Sequence, residues 1–272
     1  MSNKVWHLES KVINCNLEIF INGIPIYYHK KSYDQLISVP INQYIVNGKN
    51  IVEVIVNPGK TPSVSKFKGT WSSLDSYLDK EVGFAVQIVE YSVGQYVGSG
   101  GNQQASLVHM FDNTKYIDAS AFDTVFNVKD RINVWGWQLA DKLPPVSTQI
   151  DKIHSIVEYI HSKISAKDAS AYLEIADRYY SDYYLAYPDQ EASPQQQLKY
   201  ALEVSGKDWE FESLNKDLYD FRLCADNRLI QLYQNDWQTV IRTVPTEESH
   251  GESAFKLPIF IGFLDGRWQV LR

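Results

Sequence analysis

Two adjacent prolines, Pro144-Pro145, interrupt this chain near its middle, and neither a helix nor a strand can run through them. The hydrophobic period differs on their two sides. Before them, short β-branched and aromatic runs alternate with turn residues. After them, apolar residues recur first at helical spacing and then at every second position. The expectation is a two-domain chain: an all-β sandwich or jelly roll over residues 1–143, a linker at 144–147, and an α+β domain over 148–272.

In the first half, Lys11 to Phe20 runs into Asn22-Gly23, a dipeptide suited to the positive φ values of a tight hairpin. Ile24 to Tyr28 returns on the other side. Asn47-Gly48-Lys49-Asn50 is a second turn signal, followed by a β-branched run from Ile51 to Val56 that Asn57-Pro58-Gly59 stops. Further strands are expected at Gly83–Ser92, Gln104–Phe111 and Val125–Leu139. Gly59 to Lys80 reads as a long polar loop. Gly94 to Gln103 is glycine-rich, but no Lys-Ser/Thr follows at a helix start, so it reads as a flexible hairpin tip and not a phosphate cradle.

Beyond the prolines, Ile153, Val157, Ile160 and Ile164 mark one face of a helix that begins near Thr148 and Asp151. Ser165 and Asp168 start a second helix reaching Tyr187, and Ser193-Pro194 starts a third that stops at Gly206. Strands are expected at Trp209–Leu214, Leu218–Ala225, Arg228–Tyr233 and Trp237–Val244. Phe255, Leu257, Ile259, Ile261 and Phe263 then alternate, and Asp265-Gly266 turns the chain into Arg267–Leu271. Three helices would thus cover one face of an antiparallel curved sheet.

The 272 residues include 33 acids against 26 bases, a net charge of -7, which opposes the phosphate-seeking field of a nucleic-acid binder. An aromatic content of 13% supplies enough buried surface to argue against disorder. No apolar stretch is long enough to span a membrane, and Met1 to His7 leads into no apolar signal region. The expected location is the cytoplasm, or the periplasm if a leader has been removed. Cys15 and Cys224 read as separate buried hydrophobes.

Candidate chemistry is sparse. Asp151, His154, Glu158 and His161 follow steps of three, four and three, so one helix side carries four potential ligands. His154, Glu158 and His161 are therefore the candidate metal residues, although the second Glu-x-x-His helix of a di-iron site is missing. No catalytic residue and no cofactor is assigned. There is no Gly-x-Ser-x-Gly elbow, and Asp112 to Asp118 lacks the glycine and terminal glutamate of a calcium loop. Trp135 and Trp137, two apart on an expected strand, together with Tyr179 and Tyr183, are candidate binding residues. Tyr172, Tyr179 and Tyr183 also fit as core aromatics, with Asp177 and Asp182 solvated on other faces. Trp71, Tyr91 and Tyr96 fall in or near expected loops.

The helical start and the closing Pro258-Ile259-Phe260-Ile261 … Asp265-Gly266-Arg267-Trp268 hairpin resemble the NTF2-like, cystatin-like cone superfamily over about residues 148–272. Asn22-Gly23-Ile24-Pro25 and Asn47 to Val54 look like galactose-binding-like jelly rolls. The first resemblance implies a pocket between helices and sheet, where an aspartate and a tyrosine could serve isomerase or hydratase chemistry. The second implies carbohydrate binding. Neither fold fixes a function. The leading expectation is a non-catalytic protein that binds a protein partner of basic surface, as an immunity protein does, through aromatic contacts. A small molecule or a glycan is the alternative ligand.

Overall fold

The computed structural model describes residues 4–29, 35–56, 81–112, 120–129, 132–188, 193–234, 238–247 and 251–272. The expected loop at 59–80 with Trp71, most of the calcium-like stretch 112–118, and Trp237 lie outside these residues. The chain is mostly antiparallel sheet, with five α-helices among the described residues. Its Cα positions group into two compact units that divide at Val134/Trp135.

The first unit contains β1 (Lys4–Ile13), β2 (Leu17–Ile21), β3 (Ile24–His29), β4 (Gln35–Pro40), β5 (Gly48–Val56), β6 (Gly83–Ser92), β7 (Asn102–Met110) and β8 (Ser120–Val128). Lys11 to Phe20 is not one strand. Asn14 takes φ +47° and its Nδ2 donates to the Glu81 carbonyl at 2.9 Å, so the chain bends and passes from one sheet to another. β1 then lies in a sheet ordered β4-β1-β6-β7, and β2 in one ordered β3-β2-β5-β8. Asn22-Gly23, at φ +52° and +73°, makes the expected two-residue turn between the paired Ile21 and Ile24.

Alternation along these strands sends one set of apolar residues inward. Trp6 and Leu8 of β1, Val52 and Val54 of β5, and Val86 and Ile88 of β6 are all buried. Rings tie the two sheets together. Trp6 meets Phe126 at 5.7 Å, and Phe84 meets Phe122 edge-on at 5.3 Å.

The segment expected to be a strand from Val125 to Leu139 ends as β8 at Val128. It continues after a break as a short helix, α1 (Gly136–Leu139), and 135–143 packs with the second unit, ahead of Pro144-Pro145. Asp141 N donates to Phe263 O at 2.8 Å and Leu143 N to Asn227 O at 2.8 Å. Two tryptophans one position apart from a glycine thus turn around a helix start and do not share a strand face.

The second unit continues with α2 (Ile150–Ser165), α3 (Ala169–Ile175), α4 (Asp177–Ala186) and α5 (Pro194–Tyr200), which widens into a π-turn at Ala201–Ser205. Then follow β9 (Tyr219–Cys224), β10 (Leu229–Gln234), β11 (Ile241–Arg242), β12 (Lys256–Leu257), β13 (Ile259–Leu264) and β14 (Arg267–Val270). Asp168 caps α3 by accepting from Ala171 N, and Ser193 caps α5 by accepting from Gln196 N, as the sequence predicts.

Ile153, Val157, Ile160 and Ile164 of α2 are fully buried in one cluster with Ile230, Leu232, Ile259, Ile261 and Val270 of the sheet β14-β13-β10-β9. The expected single helix from Asp168 to Tyr187 is broken at Ala176, where φ is -106°. Tyr172, Ala176 and Tyr180, four apart, face the core, while Tyr179 and Tyr183 stay at its margin. Pro258 likewise divides the expected strand Phe255–Phe263 into β12, paired with β11, and β13, paired with β10 and β14. Trp209–Leu214 contributes one isolated bridge, Phe211 to Thr243, and no strand. The Asp265-Gly266 hairpin forms, with both φ values positive and Phe263 opposite Trp268.

Candidate binding site

The connection between β6 and β7 is a folded loop with an exposed aromatic at its summit. Gln95 N donates to Ser92 O at 2.9 Å, while the Gln95 side chain accepts from Ser92 N at 3.1 Å. Ser99 N donates to Tyr96 O at 3.1 Å, and the Ser99 hydroxyl donates to the same carbonyl. Gly94, Gly98 and Gly100 take φ between +82° and +89°, which only glycine adopts without strain. The glycines therefore serve a specified path, where the sequence alone suggested a flexible tip.

Tyr91, at the end of β6, is the post on which the loop rests. It is buried; its hydroxyl donates to the Glu9 carboxylate and accepts from Gly98 N at 2.8 Å. Burial, with Glu9 beside it, pushes the Tyr91 hydroxyl up, so it stays protonated and able to donate. Gly101 passes so close that a Cβ there would lie 2.7 Å from the Tyr91 ring. On the other side His7 meets the same ring edge-on at 5.7 Å, and its Nδ1 lies 2.9 Å from Ser38 Oγ. Burial lowers the His7 pKa and favours the neutral ring.

What this scaffold displays is Tyr96, 86% exposed, flanked by Val93 and Val97 at 45% and 44%. A tyrosine whose backbone is held by the loop's hydrogen bonds presents contact area with only two side-chain torsions left to order. Removing the Tyr91 hydroxyl tests the post. Tyr91→Phe is expected to lower stability by about 1 kcal/mol and to speed exchange of the Gly98 amide. Hydrogen exchange followed by NMR reads this, and an unchanged Gly98 amide would contradict the role given to Tyr91.

The residues singled out from sequence lie elsewhere. Trp135 and Trp137 are 2% and 8% exposed, so neither ring is offered to a partner. Trp135 N donates to Gln138 Oε1 at 2.9 Å, which closes the first turn of α1. Tyr179 and Tyr183 are half-buried members of a ring ladder on α4, in which Tyr183 meets Tyr187 at 4.9 Å. Asp177 is exposed as expected. Asp182 is not solvated: it is buried, and accepts from Gly136 N at 2.5 Å and Arg178 Nε at 2.9 Å.

The α2 quartet is drawn into separate structural contacts. His154 Nδ1 lies 2.8 Å from Tyr219 Oη, and its ring packs against Phe221. Glu158 pairs with Lys216 at 2.6 Å, which with Lys216 charge holds its carboxyl below the usual range. The His161 Nε2–H donates to Glu212 O at 2.7 Å. Among the described residues no three His, Cys, Asp or Glu side chains group so as to hold a metal ion. Added Zn²⁺ is accordingly expected to leave Tm unchanged. A Zn²⁺-dependent rise in Tm that His161→Ala abolishes would restore the metal reading.

Much of the space between helices and sheet, where a catalytic pocket would lie, is taken by the apolar cluster around Ile160, Tyr172, Tyr180 and Tyr219. Burial pushes Tyr219 up to about 12, so its hydroxyl remains a neutral donor or acceptor. A cleft of about 190 Å³ opens between α2, α3 and β14, lined by Ile156, Tyr159, Ile175 and Trp268 among others, with no carboxylate or imidazole. Cys15 and Cys224 are both free and buried. Cys15 donates to Gly83 O, and burial raises its thiol to about 12, which leaves it unreactive. No described helix is long and apolar enough to cross a membrane.

The sequence of the Tyr96 loop carries a signal besides its glycines. From Tyr91 to Phe111 the chain has no Asp, Glu, Lys or Arg, although 22% of all residues are charged. No protein-family model, no curated protein and no solved structure matches this chain.

Proposed function

We propose that this chain is a non-catalytic binding protein that holds a protein partner on the tip of the β6–β7 hairpin. The observation that carries the reading is Tyr96, kept 86% exposed by a loop fastened through Gly98, Tyr91 and Glu9. An ordered loop that leaves a large ring in water gains nothing for folding from that ring. Tyrosine, serine, glycine and asparagine are also the residues that dominate rigid recognition loops. The fold that accompanies this reading is a galactose-binding-like sandwich followed by an NTF2-like cone, as two domains. A neutralising role like that of an immunity protein fits, with the partner's working surface covered by the tip.

A photo-crosslinking residue placed at position 96, in cells of the native host, tests the proposal. The same residue at position 200 is the control, since Tyr200 is also well exposed, at 62%, but lies in the other unit. The expected result is one protein adduct at 96 that is absent at 200. Identical adducts at both positions, or none at 96, would remove the reading. A neutral-glycan array run alongside tests the carbohydrate alternative.

A further inference from the structure

The electrostatics of the tip and of the whole chain point in different directions, and the difference bears on partner chemistry. The chain carries a net charge of -7, yet the 91–111 segment has no Asp, Glu, Lys or Arg. The acids at the root of the hairpin are engaged locally. Glu90 pairs with Lys4 at 3.0 Å, and Glu9 accepts from the Tyr91 hydroxyl. The side chains that reach solvent at the summit are Val93, Gln95, Tyr96, Val97 and Ser99. A contact made through these groups buries apolar surface and uncharged hydrogen-bonding groups, and desolvates no formal charge.

Resting on the binding role given to Tyr96 above, we infer that the tip seats on an uncharged, apolar-centred patch of a protein partner, while charge elsewhere on the chain acts only on encounter. A pocket for the tyrosine ring, rimmed by backbone amides or hydroxyls, is the complement that the loop fits. Among the described residues the summit carries no carboxylate, and the nearby Glu9 and Glu90 are taken up by the Tyr91 hydroxyl and Lys4, so a partner that gripped the tip with lysine or arginine would leave its own charge desolvated. Long-range attraction from the acidic chain reaches only about 10 Å at 0.1 M salt and affects association more than dissociation.

The test uses the full chain and the purified protein recovered from the position-96 adduct, with association and dissociation measured from 50 to 500 mM NaCl. The dissociation rate is expected to change less than about twofold across that range, and Tyr96→Ala to raise it at least tenfold at every salt concentration. The variant should keep the wild-type Tm, since the ring it removes is exposed. A dissociation rate that climbs tenfold or more with salt would overturn the uncharged seat while leaving the binding role of Tyr96 standing. No protein adduct, an adduct to a second copy of this chain, or binding to neutral glycans alone would overturn both.

Discussion

Gly136→Ala is expected to destabilise the second unit by roughly 2–4 kcal/mol. An added Cβ would stand 2.6 Å from Arg178 Cγ, 3.0 Å from Arg178 Nε and 3.1 Å from Asp182 Oδ2. The Gly136 N–H donates to that same buried carboxylate at 2.5 Å, and Arg178 completes the set from one turn away on α4. Pushing the backbone outward would leave a buried donor and a buried carboxylate without each other, which costs more than the lost contact alone. Urea unfolding measures the change, and a variant within 0.5 kcal/mol of wild type, on the order of an ordinary surface substitution, would contradict this view of the 135–143 segment.

The pH dependence follows from the same carboxylate. Burial raises the Asp182 pKa above 3.8, opposed by the Gly136 N–H and by Arg178. The folded chain therefore holds the proton more tightly than the unfolded chain. The resulting contribution to stability is fully present below the ordinary aspartate value and is lost as pH rises through the raised folded value. Relative to Asp182→Asn, the wild type should gain stability as pH falls across that window. A difference between the two that stays flat with pH would show that Asp182 titrates normally.

The other large effect belongs to the first unit. Trp6→Ala is expected to cost about 3–5 kcal/mol, because a fully packed indole leaves a cavity that the sheets on either side cannot close. Trp6 is 2% exposed near the start of β1, against Phe126 of the opposing sheet, and its backbone N–H donates to Asn42 Oδ1 at 2.7 Å. The loss should register as a lower Tm and as a reduced near-ultraviolet dichroism from the tryptophan environment. Trp6→Phe should recover about half of it. Wild-type stability in Trp6→Ala would mean that the ring does not join the two sheets.

Which elements the sequence disclosed follows from how local their causes are. The Asn22-Gly23 and Asp265-Gly266 turns depend on the φ preferences of two residues, and both form where expected. The α2 stripe depends on a period of 3.6 over four residues, and all four are buried. The bend at Asn14, by contrast, is held by a hydrogen bond to Glu81, and the start of α1 by one from Gly136 N to Asp182. Those causes lie far along the chain. Trp135 and Trp137 alternate as a strand would, although Gln138, three residues on, caps the Trp135 N–H locally and Asp182, 46 positions on, accepts from the Gly136 N–H.

The candidate site was half legible. Tyr91 and Tyr96 stand out as aromatics near a glycine-rich turn, but not as opposites, one buried as a support and one exposed as a display. That distinction needs the Gly98 and Glu9 contacts. The α2 quartet shows the converse. Shared helix face is necessary for joint ligation, yet His154, Glu158 and His161 each meet a different partner on neighbouring segments.

Backbone order in the 94–101 loop is the property on which the recognition role stands, since a display residue must be held before anything binds it. NMR relaxation of those amides in the unliganded chain measures it. Order parameters near 0.85, about those of the flanking strands, are the expected values. Values below about 0.6 across the loop would mean that Tyr96 sits on a loose tip and is displayed by nothing.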